Sequence, residues 1–129
     1  MIKTIYIPTY KRANDQVTLN GLPKEICKEM VTLVVQTQEL SEHRQYEDRV
    51  NRIMEVDNDI GIAKTREEIC KDAGSQRFYM IDDDIIFHRR NRKYYKEFNN
   101  KSYMKKSKRV ATENDIKKMF KIVDDWLND

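Results

Sequence analysis

The sequence predicts an α/β domain built on a three-layer, mostly parallel sheet, and three observations predict it. Short apolar runs alternate with charged or amphipathic stretches of helical length. Residues 31–35 and 78–81 are continuously apolar or nearly so, the pattern of strands covered on both faces. The second of these runs ends directly in Asp82-Asp83-Asp84, and open α/β sheets place ligands at the carboxyl ends of their strands.

Taken in order, residues 2–7 read as the first strand, rich in isoleucine and tyrosine. The loop Pro8-Thr9-Tyr10-Lys11-Arg12 follows it. Residues 14–30 read as helix, punctuated by Gly21 and Pro23, with Pro23 able to open the second piece. Residues 31–35 form the second strand. Residues 39–49 are strongly charged and read as a surface helix anchored by Tyr46 and Val50. A third strand is expected at 52–56 and a helix at 61–73, stopped by Gly74 as a C-terminal cap. The strand at 78–81 then delivers the three aspartates. Thr112 and Asp115 form a capping box for a terminal helix over 112–127, whose apolar residues make a wide face suited to packing on the sheet.

The chain has 129 residues, enough for one domain with a core, spanning 1–129. Apolar content of 39% and charged content of 36% are polar for a globular chain but exclude disorder throughout. No apolar run approaches membrane-spanning length and no signal pattern opens the chain, so a soluble, cytoplasmic protein is expected. Cys27 and Cys70 lack metal-ligand spacing and sit in apolar patterns, which predicts buried free thiols in a reducing compartment. The net charge of +3 is uneven. Residues 89–109 hold ten Lys or Arg and one acid, Glu97, a balance of +9 that leaves 3 − 9 = −6 for the remainder. Tyr94, Tyr95, Phe98 and Tyr103 are interleaved with those cations, a composition suited to stacking on bases and meeting phosphates. That segment is expected to be mobile in the free protein and to order on DNA.

Three adjacent carboxylates repel one another and lose hydration at a strand end, so a cation belongs among them. Hard oxygen ligands at Asp82 and Asp84 suit a divalent ion completed by ligand phosphates. In the first loop, Tyr10 can stack on a base, and Lys11 or Arg12 can meet phosphate. At 100° per residue, Ile62, Ile69, Cys70 and Ala73 share one helix stripe, and Arg66 falls within it. An inward arginine needs an anionic partner, and the aspartates are the expected one.

The order Ile-Pro-Thr-Tyr-Lys-Arg (7–12), Gly-Ile-Ala-Lys-Thr-Arg (61–66), Asp-Asp-Asp (82–84) resembles the donor-binding half of GT-A fold glycosyltransferases, particularly the family 2 type. It is also similar to phage glycosyltransferases that decorate modified DNA bases. The resemblance covers roughly residues 2–90. It implies a nucleoside-diphosphate sugar donor, with Thr9, Tyr10 and Arg12 around the nucleoside and Arg66 approaching the diphosphate. It further implies that Asp82 contacts ribose or metal and that Asp84 ligates Mn²⁺ or Mg²⁺. Family members carry an acceptor-binding half with the catalytic base; no base is legible here. Two rivals stand beside this reading. One is a non-catalytic nucleic-acid-binding module that works through 89–109. The other is a phosphohydrolase of the haloacid dehalogenase type, disfavoured by the late position of the motif and by Ile86 two residues beyond it.

Overall fold

Strand β1 (Ile5–Pro8) forms where isoleucine and tyrosine alternate ahead of a proline that donates no ladder hydrogen bond. Helices α1 (Val17–Gly21) and α2 (Lys24–Met30) follow, broken at Leu22 and Pro23 as the punctuation predicts. They lead into β2 (Val31–Gln36), whose six residues are all buried. Strand β3 (Arg52–Val56) occupies the predicted span. Helix α4 (Gly61–Ala73) precedes β4 (Tyr79–Met80). The computed structural model describes residues 1–90 and 108–128. Its contacts divide the chain into two compact units, Met1–Ile85 and Ile86–Asp129.

In the first unit the four strands run parallel in the order β3-β2-β1-β4, so this is an α/β protein with a parallel sheet flanked by helices. After β3 the chain crosses to the far side of β1 to lay down β4. This reversal opens a crevice at the strand ends beside β1, where such sheets accept ligands. Tyr6, Val34 and Val56 point to one face and pack with Ile69 of α4. Phe78 meets the Tyr6 ring edge-on, with centroids 5.3 Å apart. On the opposite face Ile5, Ile7, Val31, Leu33 and Val35 are fully buried, as a period of two requires.

Three expectations need correction here. The strand expected at 78–81 as a central, doubly covered element is a two-residue strand at the end of the strand order, and Phe78 to Ile81 are only half-buried. The strands covered on both faces are β1 and β2. The charged stretch 39–49 is not one surface helix. It is a 3₁₀ turn (Thr37–Glu39), a single turn α3 (Leu40–His43) and a second 3₁₀ turn (Arg44–Tyr46). Its inward residues are Glu39, His43 and Tyr46, at helical spacing but two of them polar, so an apolar stripe does not reveal the face.

The third correction concerns α4. Its buried residues are Thr65 and Ile69, with Ala73 half-buried, whereas Ile62, Arg66 and Cys70 are exposed. The helix is turned by a polar anchor. Asp72 accepts the Tyr6 hydroxyl at 2.6 Å and takes the forked guanidinium of Arg52 through both of its oxygens. Arg52, and after it the Tyr6 hydroxyl, hold the Asp72 carboxyl below its usual range. Burial first and Asp72 second push the Tyr6 phenol up to about 12. Cys27 is the buried thiol that was expected, pushed up to about 11 by burial, and Cys70 is not. Gly74 ends the helix at φ 61, donating its N–H to the Cys70 carbonyl at 3.1 Å.

In the second unit β5 (His88–Arg90) pairs antiparallel with β6 (Lys108–Val110). Thus the ends of the basic segment 89–109 are held in a ladder, and its residues 91–107 lie outside the described residues. Helix α5 (Glu113–Asn128) starts on the predicted capping box. Thr112 Oγ1 accepts the Asp115 N–H at 3.3 Å, and Asp115 accepts the Thr112 N–H at 2.9 Å. Asp115 also takes Arg89 at 2.6 Å and Arg109 at 2.7 Å. Arg109, the Thr112 N–H and Arg89 together hold its carboxyl well below the ordinary range. Among the described residues no helix is long and apolar enough to cross a membrane.

Candidate active site

A cleft of about 530 Å³ opens where β1, β2 and β3 end under the first turn of α4. Its size is that of small-molecule sites in general. Pro8, Val34, Val56 and Ile62 give it apolar walls. The loop after β1 supplies Thr9, Tyr10 and Arg12, and the turn after β4 supplies Asp82, Asp83 and Asp84.

The turn carrying the aspartates is fixed from α1. Thr18 is fully buried. Its hydroxyl donates to the Asp82 carbonyl and accepts the Ile85 N–H at 2.8 Å, while its own N–H donates to the Asp83 carbonyl at 3.1 Å. One side chain thereby ties down both ends of the acidic tripeptide. Its middle member faces the body. Asp83 accepts the Thr9 hydroxyl at 2.8 Å and lies 3.6 Å from the Arg12 guanidinium. Gln16 completes the chain of bonds, donating from Nε2 to Thr9 Oγ1 at 2.8 Å and to the Arg12 carbonyl at 2.9 Å. Thr9, Arg12 and Gln16 therefore position the loop against the turn.

Asp82 and Asp84 are exposed, and both line the cleft. Neither carboxylate has a hydrogen-bond or ion-pair partner among the described residues. The chain leaves strand geometry after Met80 and turns at Asp83 and Asp84, so the middle carboxylate is drawn to Thr9 and Arg12 while its neighbours stay exposed. Among the described residues, no three His, Cys, Asp or Glu side chains are arranged to hold a metal ion. An ion here would rest on the two hard carboxylates and take its other oxygens from a ligand or water, which is how Mg²⁺ is commonly bound beside phosphates. The donor set fits such an ion.

The cleft lining carries four carboxylates, Asp59 included, against the single guanidinium of Arg12, a formal balance of 1 − 4 = −3. An anionic ligand would meet net repulsion, so charge balance also calls for a bound cation. Asp59 is held in place by unusual backbone. It sits at φ 57, donates its N–H to Gln36 Oε1 at 3.0 Å and accepts Gln38 Nε2 at 3.4 Å. Gly61, at φ 80, then starts α4 at the cleft edge. No atom lies within 4 Å of a Cβ added there, so backbone conformation and not space demands glycine.

Of the residues expected from sequence, Thr9, Tyr10, Arg12, Asp82 and Asp84 all line this one cleft. Arg66 does not. It is exposed and absent from the cleft, and among the described residues it engages no carboxylate. Its expected inward place is thus corrected, and the cation beside the aspartates is Arg12. Thr18, Gln16 and Asp59 were missed. The first two are polar residues inside a helical stretch and carry no motif. For Asp59 a signal existed in the run Asp57-Asn58-Asp59-Ile60-Gly61, a composition that favours left-handed turns.

A family model described as TET-Associated Glycosyltransferase matches residues 3–129. No curated protein and no solved structure matches the chain.

Proposed function

Because the chain belongs to the TET-associated glycosyltransferase family, we propose that its cleft binds a nucleoside-diphosphate sugar together with Mn²⁺ or Mg²⁺ for transfer of the sugar to an acceptor. The observation that carries this reading is the split of the acidic tripeptide. Asp83 is consumed by Thr9 and Arg12, while Asp82 and Asp84 face the cleft with free carboxylates.

In this reading Asp82 and Asp84 hold the metal. When bound, the ion supplies charge stabilisation for the diphosphate as the glycosidic bond to it breaks. Arg12 contributes a second positive group near the same phosphates, already oriented by Asp83. Pro8, Val34, Val56 and Ile62 form a dry wall for the nucleoside, and the Tyr10 ring at the rim can stack on its base. The N-terminal turn of α4 borders the cleft through Gly61, Ile62 and Thr65, so the positive end of a helix dipole lies beside the same space. The acceptor we propose is a modified base in phage DNA, approached with the help of the basic segment 89–109. Steep loss of DNA binding with salt is the expected signature of that contact.

Calorimetry with Mn²⁺ and a panel of nucleoside diphosphates tests the donor site. Affinity should require the ion, fall on addition of chelator, and lose its metal dependence in Asp84→Asn. Equal affinity in chelator and in that variant would remove the proposal.

A further inference from the structure

Helix α5 carries two apolar stripes side by side, each with residues spaced four, three and four apart. Ile116, Phe120, Val123 and Leu127 make the first. It is turned inward, with Ile116 and Phe120 buried and Val123 half-buried. Asp115, Met119, Ile122 and Trp126 make the second. Asp115 takes Arg89 and Arg109 of the hairpin. The stripe then runs on into water, with Met119 37%, Ile122 60% and Trp126 80% exposed. Apolar residues exposed singly need no explanation, but three in line along one helix face mark a docking surface.

Area and charge together indicate what covers it. Trp126 leaves about 200 Å² in water, and Ile122 with Met119 roughly as much again. Two such stripes laid together bury about 800 Å² of apolar surface, and their polar flanks carry the total to the roughly 1,000 Å² that a specific, weak interface requires. The flank beside Ile122 is charged in a self-complementary way. Lys118 stands toward its N-terminal end and Asp125 toward its C-terminal end, with Ile122 near the midpoint. Lys118 has no ion-pair partner among the described residues, and Asp125 takes Lys121 at 2.7 Å through Oδ2 alone. We propose that this stripe docks on the same stripe of a second copy of the chain, antiparallel about a two-fold axis at Ile122. Ile122 then meets its own counterpart, Trp126 covers Met119 of the second copy, and Lys118 reaches Asp125 of the second copy. By symmetry the last two contacts occur twice. A parallel pair would set Lys118 against Lys118 and Asp125 against Asp125, which like charge opposes.

The small area predicts a weak dimer, half formed at a chain concentration on the order of 100 µM. Sedimentation equilibrium of the 129-residue chain, from about 10 µM to about 1 mM, is the test. The apparent mass should rise from 15.6 kDa toward twice that value. Trp126 is the single tryptophan, so its fluorescence should shift to the blue over the same range as the ring leaves water. Ile122→Glu, at a position already exposed, should keep the fold by circular dichroism and abolish both changes. Lys118→Asp should weaken dimerisation about tenfold by facing Asp125 with like charge, and adding Asp125→Lys should restore it. A chain that stays monomeric at about 1 mM overturns the proposal and leaves the stripe to a different partner. A dimer that leaves Trp126 emission unchanged, or that survives Ile122→Glu, uses another face and overturns it equally. A charge-swapped double variant that dimerises no better than Lys118→Asp alone overturns the antiparallel pairing.

Discussion

Replacing Thr18 by valine isolates the hydroxyl that holds the acidic turn. Valine has nearly the same shape, so packing at this fully buried position is kept and only the two Oγ1 hydrogen bonds are lost. Each such bond is worth about 1 kcal/mol net, and a partner left dry costs somewhat more. Asp82 and Ile85 both reach solvent, so water can recover part of the loss. A destabilisation of about 2 kcal/mol is the expected outcome. That corresponds to a fall in Tm of roughly 8 °C for a domain of this size. Urea unfolding followed by far-UV circular dichroism is the suitable assay, since the single tryptophan, Trp126, is 80% exposed and lies in the other unit. Thr18→Ser keeps the hydroxyl and should recover most of the stability. The same titration repeated with Mn²⁺ and nucleoside diphosphate should show weaker ligand stabilisation in the valine variant, because the two carboxylates proposed to hold the metal hang on that turn. A loss under about 0.5 kcal/mol, with ligand stabilisation intact, would refute the idea that Thr18 sets the turn.

Asp83→Asn and Asp84→Asn should separate structure from binding. The first breaks the pairing with Arg12 and should cost about 1 kcal/mol of stability while metal-dependent nucleotide binding survives; the second should do the reverse, as paired melting and calorimetry would reveal. Tyr6→Phe should cost about 1 kcal/mol by deleting the bond to Asp72. Because the Tyr6 pKa is raised in the fold, its contribution is complete below pH 10 and is lost as pH climbs toward about 12, so the variant should flatten the alkaline limb of a stability profile. Asp72 has the opposite sign: its contribution is present above the ordinary carboxylate pKa and disappears on acidification through the lowered value, which Asp72→Asn should remove from the acid limb. Arg66→Ala should leave nucleoside-diphosphate affinity within about twofold, since the side chain lies outside the cleft; a tenfold loss measured by calorimetry would return it to the site.

Much of the fold was legible where a single physical preference governs a stretch. Strand β3 and helix α4 fall at the expected residues, and the Thr112–Asp115 box opens the last helix, because propensity and capping act locally. Sheet order was not legible. Nothing in residues 78–81 records that β4 pairs with β1 alone in this unit, and apolar continuity was read as central burial. The facing of α4 failed for a different reason. Thr65 and Asp72 are polar yet help set the inward side, and hydrophobic spacing cannot register a helix that is turned by a Tyr–Asp–Arg network. The same blindness hid Glu39 and His43 inside a stretch that looked like solvent-facing charge. At the site, the residues gathered by the loop after β1 and the turn after β4 were readable because strand ends converge at the crevice. Their supports, Thr18 and Gln16, were not, since a buried hydroxyl or amide declares its role only when its partner is known.

The acidic tripeptide is sorted by its turn, which Thr18 holds at Asp82, Asp83 and Ile85. Three identical residues stand in a row, yet the turn gives them different surroundings: Asp83 meets Thr9 and Arg12, and Asp82 and Asp84 are exposed. Exchanging the chemistry of one flank alters one carboxylate. Adding or removing one residue between Met80 and Asp82 would change which residues meet Thr18's anchor, and so which aspartate meets Thr9 and Arg12. Mutational drift in this chain should therefore tolerate changes of kind here more readily than changes of length. Efforts to re-engineer the cleft should leave the number of peptide units from β4 to Thr18's two anchor points alone.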